Sequence, residues 1–510
     1  MNRKTYKTIG LGLVGLTLAG SVLAGCGSKE EPGAEAPAQN SEASNQPLHI
    51  KMTLNFDGKE VPQEGNEVEK AIEQYTNTEL DLTHIASSDF CTKLPVMIAS
   101  GEMPQVIASC GAPNQSYLIS AAQGGTFWDI TELIKEYKNL SSMPELVYGN
   151  VSIDGKLYGI PRFRPVSRYT FAYRADWLEN LGLKEPKTLD DLYAMLKAFT
   201  ENDPDKNGKN DTVGFTAIIN NNTLAPDFGL AHGAPNNWNS VDGKFVKAEA
   251  TPEYLEGLKF LKKLYDEGLM NQDFASVSQA KSEGDFENGK AGVISATTNN
   301  VLAFQSRVQK VNPDAKLDFV SVLEGPGGKR VVADRGSNGI LMFPKASVKT
   351  EAELKQLLSF FDKLAEKEMA DLLEWGIQGK HYELKDGKAV RLNQETYDNE
   401  VSFPYNKPLV TVPLTAIKTQ GDLDPISEKV IEVEKANEQF AVKDPSMVLL
   451  SDTWAQKGAE LTQILVDAKV KFIMGKIDEA GWNKEIEKFK KAGGDTVAEE
   501  YAAAAASVQQ

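Results

Sequence analysis

The sequence predicts an α/β protein whose sheets are mostly parallel and whose chain is divided between two lobes. Short segments of strand-forming composition alternate with amphipathic helical segments, which is the pattern of strands joined by helical crossovers. Residues 47–510 are also too many for a single hydrophobic core of ordinary size. These two observations favour two sheets, each flanked by helices.

The first lobe is predicted to open with three strands and two helices. Strands are expected at residues 50–56, 80–84 and 105–108, and helices at residues 68–75 and 91–100. Right-handed crossovers place the carboxyl ends of such strands at one edge, where open α/β sheets bind ligands. Asn55 and Asp57 follow the first strand at that edge, so they are candidate ligand contacts.

Turns and helix caps mark the later elements. The Asp-Gly pair at 154–155 indicates a hairpin turn, and Thr188 begins a helix with an acidic residue at its third position. Residues 251–268 form an amphipathic segment with proline in its first turn and glycine at its end, which predicts a helix. Residues 285–295 indicate a turn followed by a buried strand.

The first 25 residues have the layout of a cleaved export signal. Three basic residues precede an apolar run at residues 9–18, and small residues then lead to Cys26. This end resembles a bacterial lipobox, in which the cysteine is lipidated through its sulfur and becomes the mature N-terminus. The alternative is a membrane-spanning anchor with a chance cysteine, but that needs about 20 apolar residues, a longer run than the one present.

A lipidated Cys26 would anchor the protein to the outer face of a bacterial envelope membrane. The segment that follows, residues 27–46, is rich in Gly, Ser, Pro, Ala and Glu and lacks aromatic and branched apolar residues. Because such a segment cannot bury enough apolar surface to fold, we expect a flexible tether.

The negative net charge of the chain disfavours nucleic acid as a partner. The chain has 55 basic and 72 acidic side chains, for a formal charge of −17, and residues 1–25 contribute three basic side chains and no acidic ones. The mature chain therefore carries −20, so nucleic acid is not an expected partner. The need to stay soluble at a surface explains the excess of acidic side chains. Separately, we expect the protein to be a monomer.

Besides Cys26, the chain holds only Cys91 and Cys110. In an oxidising compartment such a pair can form a disulfide, and the two residues lie near each other in sequence. Two buried free thiols are the alternative, and the sequence leaves both open. Neither the cysteines nor the four histidines have the spacing of a zinc site.

One acidic loop, DPDKNGKND at residues 203–211, has the spacing of a calcium-binding loop. It places oxygen ligands at relative positions 1, 3, 5 and 9, and a glycine at position 6. The expected ligands are the side chains of Asp203, Asp205, Asn207 and Asp211 and the backbone carbonyl of Lys209. Gly214 stands at position 12 in place of the bidentate glutamate, so this is a variant loop with a structural role. An ordinary surface turn is the alternative.

Six segments occur in a fixed order behind the lipobox. They are SGEMPQVI at 100–107, FWDITELI at 127–134, GKLYGIPR at 155–162, YRADWLENLG at 173–182, the loop at 203–211, and FENGKAGVI at 286–294. In this order they resemble extracellular solute-binding proteins of the sugar-transporter group, the lipoproteins that feed ABC importers. The chain is most similar to the large-oligosaccharide branch, which includes alginate-binding members.

The resemblance implies a two-lobed clamp of the periplasmic-binding-protein type, with a saccharide, expected to be an oligosaccharide, held between the lobes. The implied hinge crossings lie near residues 162–173, 332–343 and 395–410. Lobe 1 would comprise residues 47–165 and 338–398, and lobe 2 would comprise residues 166–337 and 399–510. Closure would present a combined surface to the ABC permease, because a ligand favours the closed form when it binds that form better.

Sugar recognition requires aromatic faces and planar polar groups. Trp238, in a loop rich in Gly, Asn and Pro, is the first candidate for stacking, and Trp375, beyond a long helix, is the second. Arg162 stands where the approach to the hinge would face the cleft, and Tyr169 and Asn299 occupy analogous loop positions. For the polar candidates, a loop cap or a surface charge is the alternative.

Two other functions fit the same chain. An anchored glycoside hydrolase or lyase would use two carboxylates, and acidic residues are abundant enough to supply a pair. However, the sequence contains no G-x-S-x-G, P-loop or H-E-x-x-H motif, so we expect a binding protein and not an enzyme. A sugar sensor that uses the same clamp is the other alternative, and the sequence cannot separate it from an importer component.

Overall fold

Two separate β-sheets, each flanked by helices, organise the chain. The computed structural model describes residues 46–508 except 59, 112, 114 and 220–223, so the export signal and Cys26 lie outside the described residues. The α/β prediction is confirmed. Among the described helices, none combines the length and the apolar character needed to span a bilayer.

The strands of the described residues are short, and most belong to the two main sheets. They are β1 (Leu48–Phe56), β2 (Thr78–Ala86), β3 (Val106–Ala108), β4 (Gly159–Phe163), β5 (Tyr169–Arg174), β6 (Val213–Thr216), β7 (Trp238–Val241), β8 (Lys244–Lys247), β9 (Ala291–Thr297), β10 (Leu317–Val320), β11 (Glu324–Gly325), β12 (Gly328–Lys329), β13 (Val331–Val332), β14 (Ser337–Met342), β15 (Tyr382–Lys385), β16 (Lys388–Arg391) and β17 (Ala441–Val442).

The described helices surround these sheets. The α-helices are α1 (Glu67–Thr76), α2 (Ser87–Ser100), α3 (Ser116–Gln123), α4 (Glu145–Val151), α5 (Ala175–Asn180), α6 (Leu189–Glu201), α7 (Leu224–Ala231), α8 (Pro252–Asp266), α9 (Gln279–Glu287), α10 (Thr298–Val311), α11 (Glu351–Lys363), α12 (Lys367–Trp375), α13 (Gln394–Tyr397), α14 (Lys407–Leu409), α15 (Pro425–Asn437), α16 (Asp452–Ile473), α17 (Glu479–Phe489) and α18 (Asp495–Val508). Short 3₁₀ turns occupy Leu133–Glu136, Leu140–Ser142, Ala248–Ala250 and Glu438–Phe440, and π-helical segments occupy Asp398–Asn406 and Lys490–Gly494.

The first sheet has the strand order β2-β1-β3-β14-β4. β1 pairs in parallel with β2 and β3, whereas β14 is antiparallel to both β3 and β4, so four of the five strands run in the same direction. The predicted opening of three strands and two helices is therefore confirmed by β1, α1, β2, α2 and β3.

The second sheet has the order β10-β5-β9-β6. β6 and β9 are parallel, and β5 runs antiparallel to its neighbours β9 and β10. Alternate residues of β5 enter different clusters: Phe171 and Tyr173 pack with the main core of this lobe, and Ala172 packs with a smaller cluster around α10. The sheet is therefore buried on both faces, as the alternation of side chains along a strand requires.

Local sequence explains where several elements begin. Asn66 accepts hydrogen bonds from the backbone of the first turn and caps α1. Thr188 and Asp191 form the predicted capping box of α6, and Thr251 caps α8, whose first residue is proline. The predicted turn at 154–155 has two consecutive positive φ angles, 51° and 72°, which suit its Asp-Gly sequence.

The first two crossings between the lobes fall within the expected ranges. The chain passes from β4 in the first sheet to β5 in the second through residues 164–168. It returns from β13 to β14 through residues 333–336. Both crossings are short, so they constrain how far the two sheets can separate at this point.

The predicted third crossing at residues 395–410 is wrong. Val401, Tyr405 and Leu409 are buried in the core of the first sheet, because the π-helical segment and α14 turn their apolar side chains towards it. The assignment of residues 399–414 to lobe 2 is corrected accordingly. The chain instead crosses between Gly421, which is bridged to Ala389, and Ile426, which packs against the second lobe.

Cys91 and Cys110 are joined by a disulfide in the structure. Cys91 lies in α2 and Cys110 follows β3, and their Cα atoms are 5.3 Å apart. The bond ties a helix of the first lobe to the end of a central strand. Of the two alternatives that the sequence left open, the structure therefore has the bridged pair.

Candidate functional site

The two sheets present matching edges at the crossings. The carboxyl edge of the first sheet is where β1, β2, β3 and β4 end, and the chain leaves it directly after β4. The first crossing then enters the second sheet at the start of β5, the edge where β6 and β9 end. Because the linking segment is short, the two edges adjoin, and side chains on them line the space between the lobes.

Arg162 and Asn55, both predicted from the sequence, meet at the carboxyl edge of the first sheet. Arg162 Nη1 donates to Asn55 Oδ1 at 2.5 Å, and Nη2 donates to the carbonyl oxygen of Ser109 at 3.2 Å. Asn55 Nδ2 in turn donates to Ser87 Oγ at 2.9 Å. This network links the ends of four strands around a guanidinium that is only 2 % exposed.

Two further cations, which were not predicted from the sequence, stand beside Arg162. Arg164 Nη2 donates to the carbonyl oxygen of Lys407 at 3.2 Å, and Lys407 Nζ lies 4.0 Å from the centre of the Phe403 ring. We call Arg162, Arg164 and Lys407 the cationic group. The Arg-Phe-Arg sequence at the end of β4 could have indicated Arg164, but Lys407 comes from a distant segment that no local pattern connects to it.

Burial shapes the electrostatics of the cationic group. It is the main reason that the pKa of each of its three members lies below the ordinary value. Neighbouring positive charges lower these pKa values further, whereas Asp57, the exposed candidate after β1, opposes the shift for all three. The group therefore gathers positive charge in a partly desolvated place, which makes it attractive to an anion.

Arg168 and Asp334 link the first two crossings. Arg168 donates through Nε and Nη2 to Asp334 Oδ2, at 3.2 and 3.0 Å. The backbone of the two segments is also joined, since the N–H of Asp334 donates to the carbonyl oxygen of Val166 at 2.6 Å. Asn437 of α15 also contacts the first crossing, since its side-chain amide donates to the carbonyl oxygen of Ser167 at 3.0 Å. These bonds hold the two hinge segments side by side.

The facing edge of the second sheet holds a cavity of about 110 Å³ lined by both polar and apolar side chains, with Glu283 among the polar ones. Its lining includes Tyr169, Thr216, Ser295, Thr297 and Asn300. Tyr169 is thus placed beside the cleft as predicted, whereas Asn299 is an exposed neighbour of the lining residue Asn300 in the first turn of α10. Hydroxyl and amide groups of this kind suit the hydroxyl groups of a sugar.

The structure does not support the stacking role predicted for Trp238. Its side chain is 2 % exposed and packs edge-on against Tyr501 of the C-terminal helix, with ring centres 5.4 Å apart. The ammonium of Lys247 lies 5.6 Å from the ring centre. Trp238 begins the hairpin strand β7, so the Gly- and Asn-rich segment before it delivers the ring to the core of the second lobe.

Trp375 is also a packing residue. It ends α12 at 4 % exposure, and its indole N–H donates to the carbonyl oxygen of Thr419 at 2.9 Å. Arg391 covers one side of the ring at 5.0 Å, and a Cβ atom at Gly421 would come within 2.5 Å of the ring. No face of this indole is open to a sugar.

The acidic loop at residues 203–211 closes on itself. Asp203 accepts from the backbone N–H groups of Asn207 and Gly208, both at 3.0 Å. The Asn207 amide nitrogen donates to Asp205 at 2.9 Å and to Asp211 at 3.0 Å. Burial raises the pKa of Asp205, and the charges of Asp203 and Asp211 add to this shift, so the loop concentrates negative charge.

The geometry of this loop bears on the predicted calcium ligands in two places, the acidic side chains and the backbone at position 12. Within the part of the chain that the structure describes, no three His, Cys, Asp or Glu side chains are placed to hold one ion. Gly214 shows why position 12 carries no glutamate: it lies in β6, and a Cβ atom there would come within 2.4 Å of the Leu196 carbonyl oxygen. The donor set nevertheless has the hard oxygens that calcium prefers, so the residues fit the ion chemically.

Two α/β lobes joined by three crossings, with polar side chains on adjoining sheet edges, define a clamp-type binding protein. The chain belongs to the bacterial extracellular solute-binding proteins, since the model of that family matches residues 59–371. It is an extracytoplasmic protein, and neither the family nor the relatives are enzymes.

Two relatives from Bacillus subtilis match most of the chain. The polygalacturonan/rhamnogalacturonan-binding protein YtcQ is 40% identical over 438 residues, which cover 85% of this chain and 86% of the relative. Lipoprotein LipO is 37% identical over 474 residues, which cover 90% of this chain and 93% of the relative.

Two solved structures have the same fold. The ABC-transporter substrate-binding protein FusA of Streptococcus pneumoniae, in complex with kestose, has a TM-score of 0.65 at 21% identity and covers 89% of this chain and 98% of its own. The alginate-binding protein AlgQ2 has a TM-score of 0.63 at 20% identity and covers 92% of this chain and 99% of its own.

Burial of Trp238 leads to a prediction that separates packing from ligand contact. Trp238→Ala should lower the free energy of unfolding by about 3–5 kcal/mol, because it empties a large volume in the core of the second lobe. Trp238→Phe keeps an aromatic ring and should cost less. Urea unfolding followed by circular dichroism measures both. An alanine variant that unfolds like the unaltered protein but binds its ligand much more weakly would restore the stacking role.

Proposed function

We propose that this protein captures an oligosaccharide between its two lobes and delivers it to the permease of an ABC importer, acting as a monomer. The observation that carries the proposal is the pair of adjoining sheet edges, one with the Arg162 network and the other with the hydroxyl-lined cavity. The family, and relatives and fold neighbours named for polysaccharide fragments, fructose oligomers or alginate, support a carbohydrate ligand.

The two edges offer different contacts to a sugar. The first supplies charged donors on a fixed network, and the second supplies hydroxyl and amide groups that can donate or accept. Tyr169 at the start of β5 and Phe403 beside Lys407 are half-buried aromatic side chains near these edges, so they replace Trp238 and Trp375 as stacking candidates. Closing the clamp would bring both sets of contacts to one ligand.

Ligand binding tests this function. A mature chain titrated with neutral and acidic oligosaccharides should bind at least one of them, and ligand at 100 times its Kd should stabilise the folded state by about 2.7 kcal/mol. Calorimetry and thermal unfolding measure the two effects, and small-angle scattering should show a smaller radius of gyration. Cells that lack the protein should lose uptake of the same sugar. Release of shortened products, or failure to bind any saccharide, would contradict the proposal.

Anchoring through Cys26 belongs to the same proposal. The export-type leader and the small residues before Cys26 support it, and so does the name of the relative LipO. Lipidated protein should partition into the detergent phase of a Triton X-114 extract, because two or three acyl chains bind a membrane stably. Cys26→Ala should shift it to the aqueous phase, and Gly27→Ala should not. Equal partitioning of both variants would exclude the lipid anchor.

Calcium is the remaining part of the proposal. The ion would be held by Asp203, Asp205, Asn207, Asp211 and the carbonyl of Lys209, after the Asn207 amide turns its oxygen inward. It would relieve the repulsion among the three carboxylates and stabilise the link between α6 and β6. Its role there is structural.

The calcium prediction has a matched control within the chain. Calcium at millimolar concentration should raise the melting temperature, a chelator should reverse this, and Asp205→Asn should abolish the response. Asp386→Asn alters an exposed Asp-Gly turn outside the loop, where Asp386 also has a positive φ, and should leave the response intact. A calcium response that survives Asp205→Asn, or no response in the unaltered protein, would show that the loop is an ordinary turn.

A further inference from the structure

The cationic group is positive in a chain that is strongly negative. Arg162, Arg164 and Lys407 converge at the carboxyl edge of the first sheet, although the chain as a whole has a formal charge of −17. Among the described residues, none of the three has a carboxylate oxygen within 4.0 Å of its charged nitrogens. The three cations therefore lie close together without a carboxylate in direct contact with any of them.

The hydrogen bonds of the two arginines go to neutral acceptors. Arg162 donates to the Asn55 amide and to the Ser109 carbonyl, and its buried Nε has no hydrogen-bond partner in the described part of the chain. Arg164 donates to two backbone carbonyls, those of Phe163 and Lys407. Neutral acceptors orient a guanidinium but leave its charge uncompensated.

Elsewhere the chain pairs a buried arginine with an acid. Arg174 is 3 % exposed, and its Nε and Nη2 reach the two oxygens of Asp176 at 2.9 and 2.6 Å. That arrangement satisfies both the charge and the planar fork of the side chain. The cationic group lacks such a partner and lies beside the first crossing, with Arg162 buried and Arg164 and Lys407 half-buried.

The charges that face the group leave it positive. Asp57 acts on all three cations, Asp398 acts on Lys407, and Arg168 adds positive charge near Arg164. Arg168 is itself engaged with Asp334. Three cations therefore face one exposed carboxylate and a second that lies beside Lys407 alone.

We propose that Arg162, Arg164 and Lys407 bind a carboxylate of the ligand, so that the captured oligosaccharide contains uronic acid units. This inference rests on the proposed function and specifies its substrate class. A carboxylate suits the site because a guanidinium fork matches its two coplanar oxygens, while the ammonium of Lys407 adds a point charge. The hydroxyl-lined cavity of the second lobe would hold the uncharged part of the sugar.

The decisive comparison uses two ligands of equal length. Trigalacturonate and its fully methyl-esterified form differ in charge but not in their sugar backbone. Calorimetry on the full mature chain should show that esterification weakens binding about 10- to 100-fold, as expected for losing hydrogen bonds between charged groups. Affinity for the acid should also fall between 0.05 and 0.5 M NaCl, and affinity for the ester should not.

Variants then assign the effect to the cationic group. Lys407→Met should weaken binding of the acid about tenfold or more and binding of the ester less, and Lys407→Arg should restore most of the affinity for the acid. Lys316→Met removes an exposed cation that pairs with Glu179 in the other lobe and serves as the matched control. Circular dichroism melts establish that each variant is folded, and Arg164→Gln gives a second variant of the group.

The outcomes separate the two proposals. Equal or tighter binding of the ester or of a neutral oligosaccharide such as kestose would overturn the acidic ligand class but leave saccharide capture standing. A sulfated oligosaccharide that binds as well as trigalacturonate would overturn the assignment to carboxylate. Binding of the acid that Lys407→Met and Arg164→Gln do not weaken would place the carboxylate elsewhere. Failure of every saccharide to bind would overturn the proposed function itself.

Discussion

The hydrogen bonds of the Arg162 guanidinium are the interactions on which the arrangement of side chains at the carboxyl edge of the first sheet depends. The guanidinium lies at the end of β4, directly before the first crossing, and its two donors reach Asn55 beyond β1 and Ser109 beyond β3. It thereby adds side-chain hydrogen bonds to the backbone pairing that already orders the strands. Because its partners are neutral, the same side chain both links the strand ends through hydrogen bonds and carries a positive charge that no neighbouring acid compensates. These hydrogen bonds keep the charge in place before any ligand arrives, which reduces the ordering cost of binding.

The two sheet edges carry side chains of different chemistry. Charge lies on the edge of the first sheet, whereas the second sheet offers hydroxyl and amide groups around its cavity. Closing such a clamp removes water from both sides, and the attraction between opposite charges strengthens as the local dielectric falls. The Arg168–Asp334 pair and the backbone bond between Asp334 and Val166 keep two crossings together. Two of the three crossings are therefore held side by side.

Much of the fold could be predicted because its signals are local. The period of apolar residues and the cap at Thr188 locate helices without knowledge of the tertiary structure. Asn55 and Arg162 meet at the carboxyl edge of the first sheet because parallel strands end together, and their contact with a ligand stays a prediction. The stacking roles predicted for Trp238 and Trp375 are not supported because burial depends on distant partners. Trp238 packs on Tyr501, and Trp375 donates a hydrogen bond to Thr419.

The position of the third crossing was predicted wrongly, and Lys407 was not predicted, for the same reason: both depend on contacts between residues distant in the sequence. The segment that holds Tyr405 contains a proline and forms a π-helix, so its apolar side chains do not show the helical period. Tyr405 is also tied to α1, where Glu69 accepts a hydrogen bond from its hydroxyl at 3.0 Å. Lys407 follows directly in α14 and reaches Arg164 only because that segment packs on the first sheet. Misplacing the crossing therefore also hid a member of the site.

An acidic ligand raises the question of how a chain with 72 acidic side chains attracts it. At physiological ionic strength, exposed charges more than about 8 Å apart are largely screened, so the net charge acts weakly at a distance. Inside a cleft with low-dielectric walls the nearest charges dominate, and at the carboxyl edge these are Arg162, Arg164 and Lys407. Asp57, which is exposed at the rim, would repel a carboxylate that approached its side of the group. Specificity would then come from short-range geometry at the sheet edge, while the acidic exterior favours solubility.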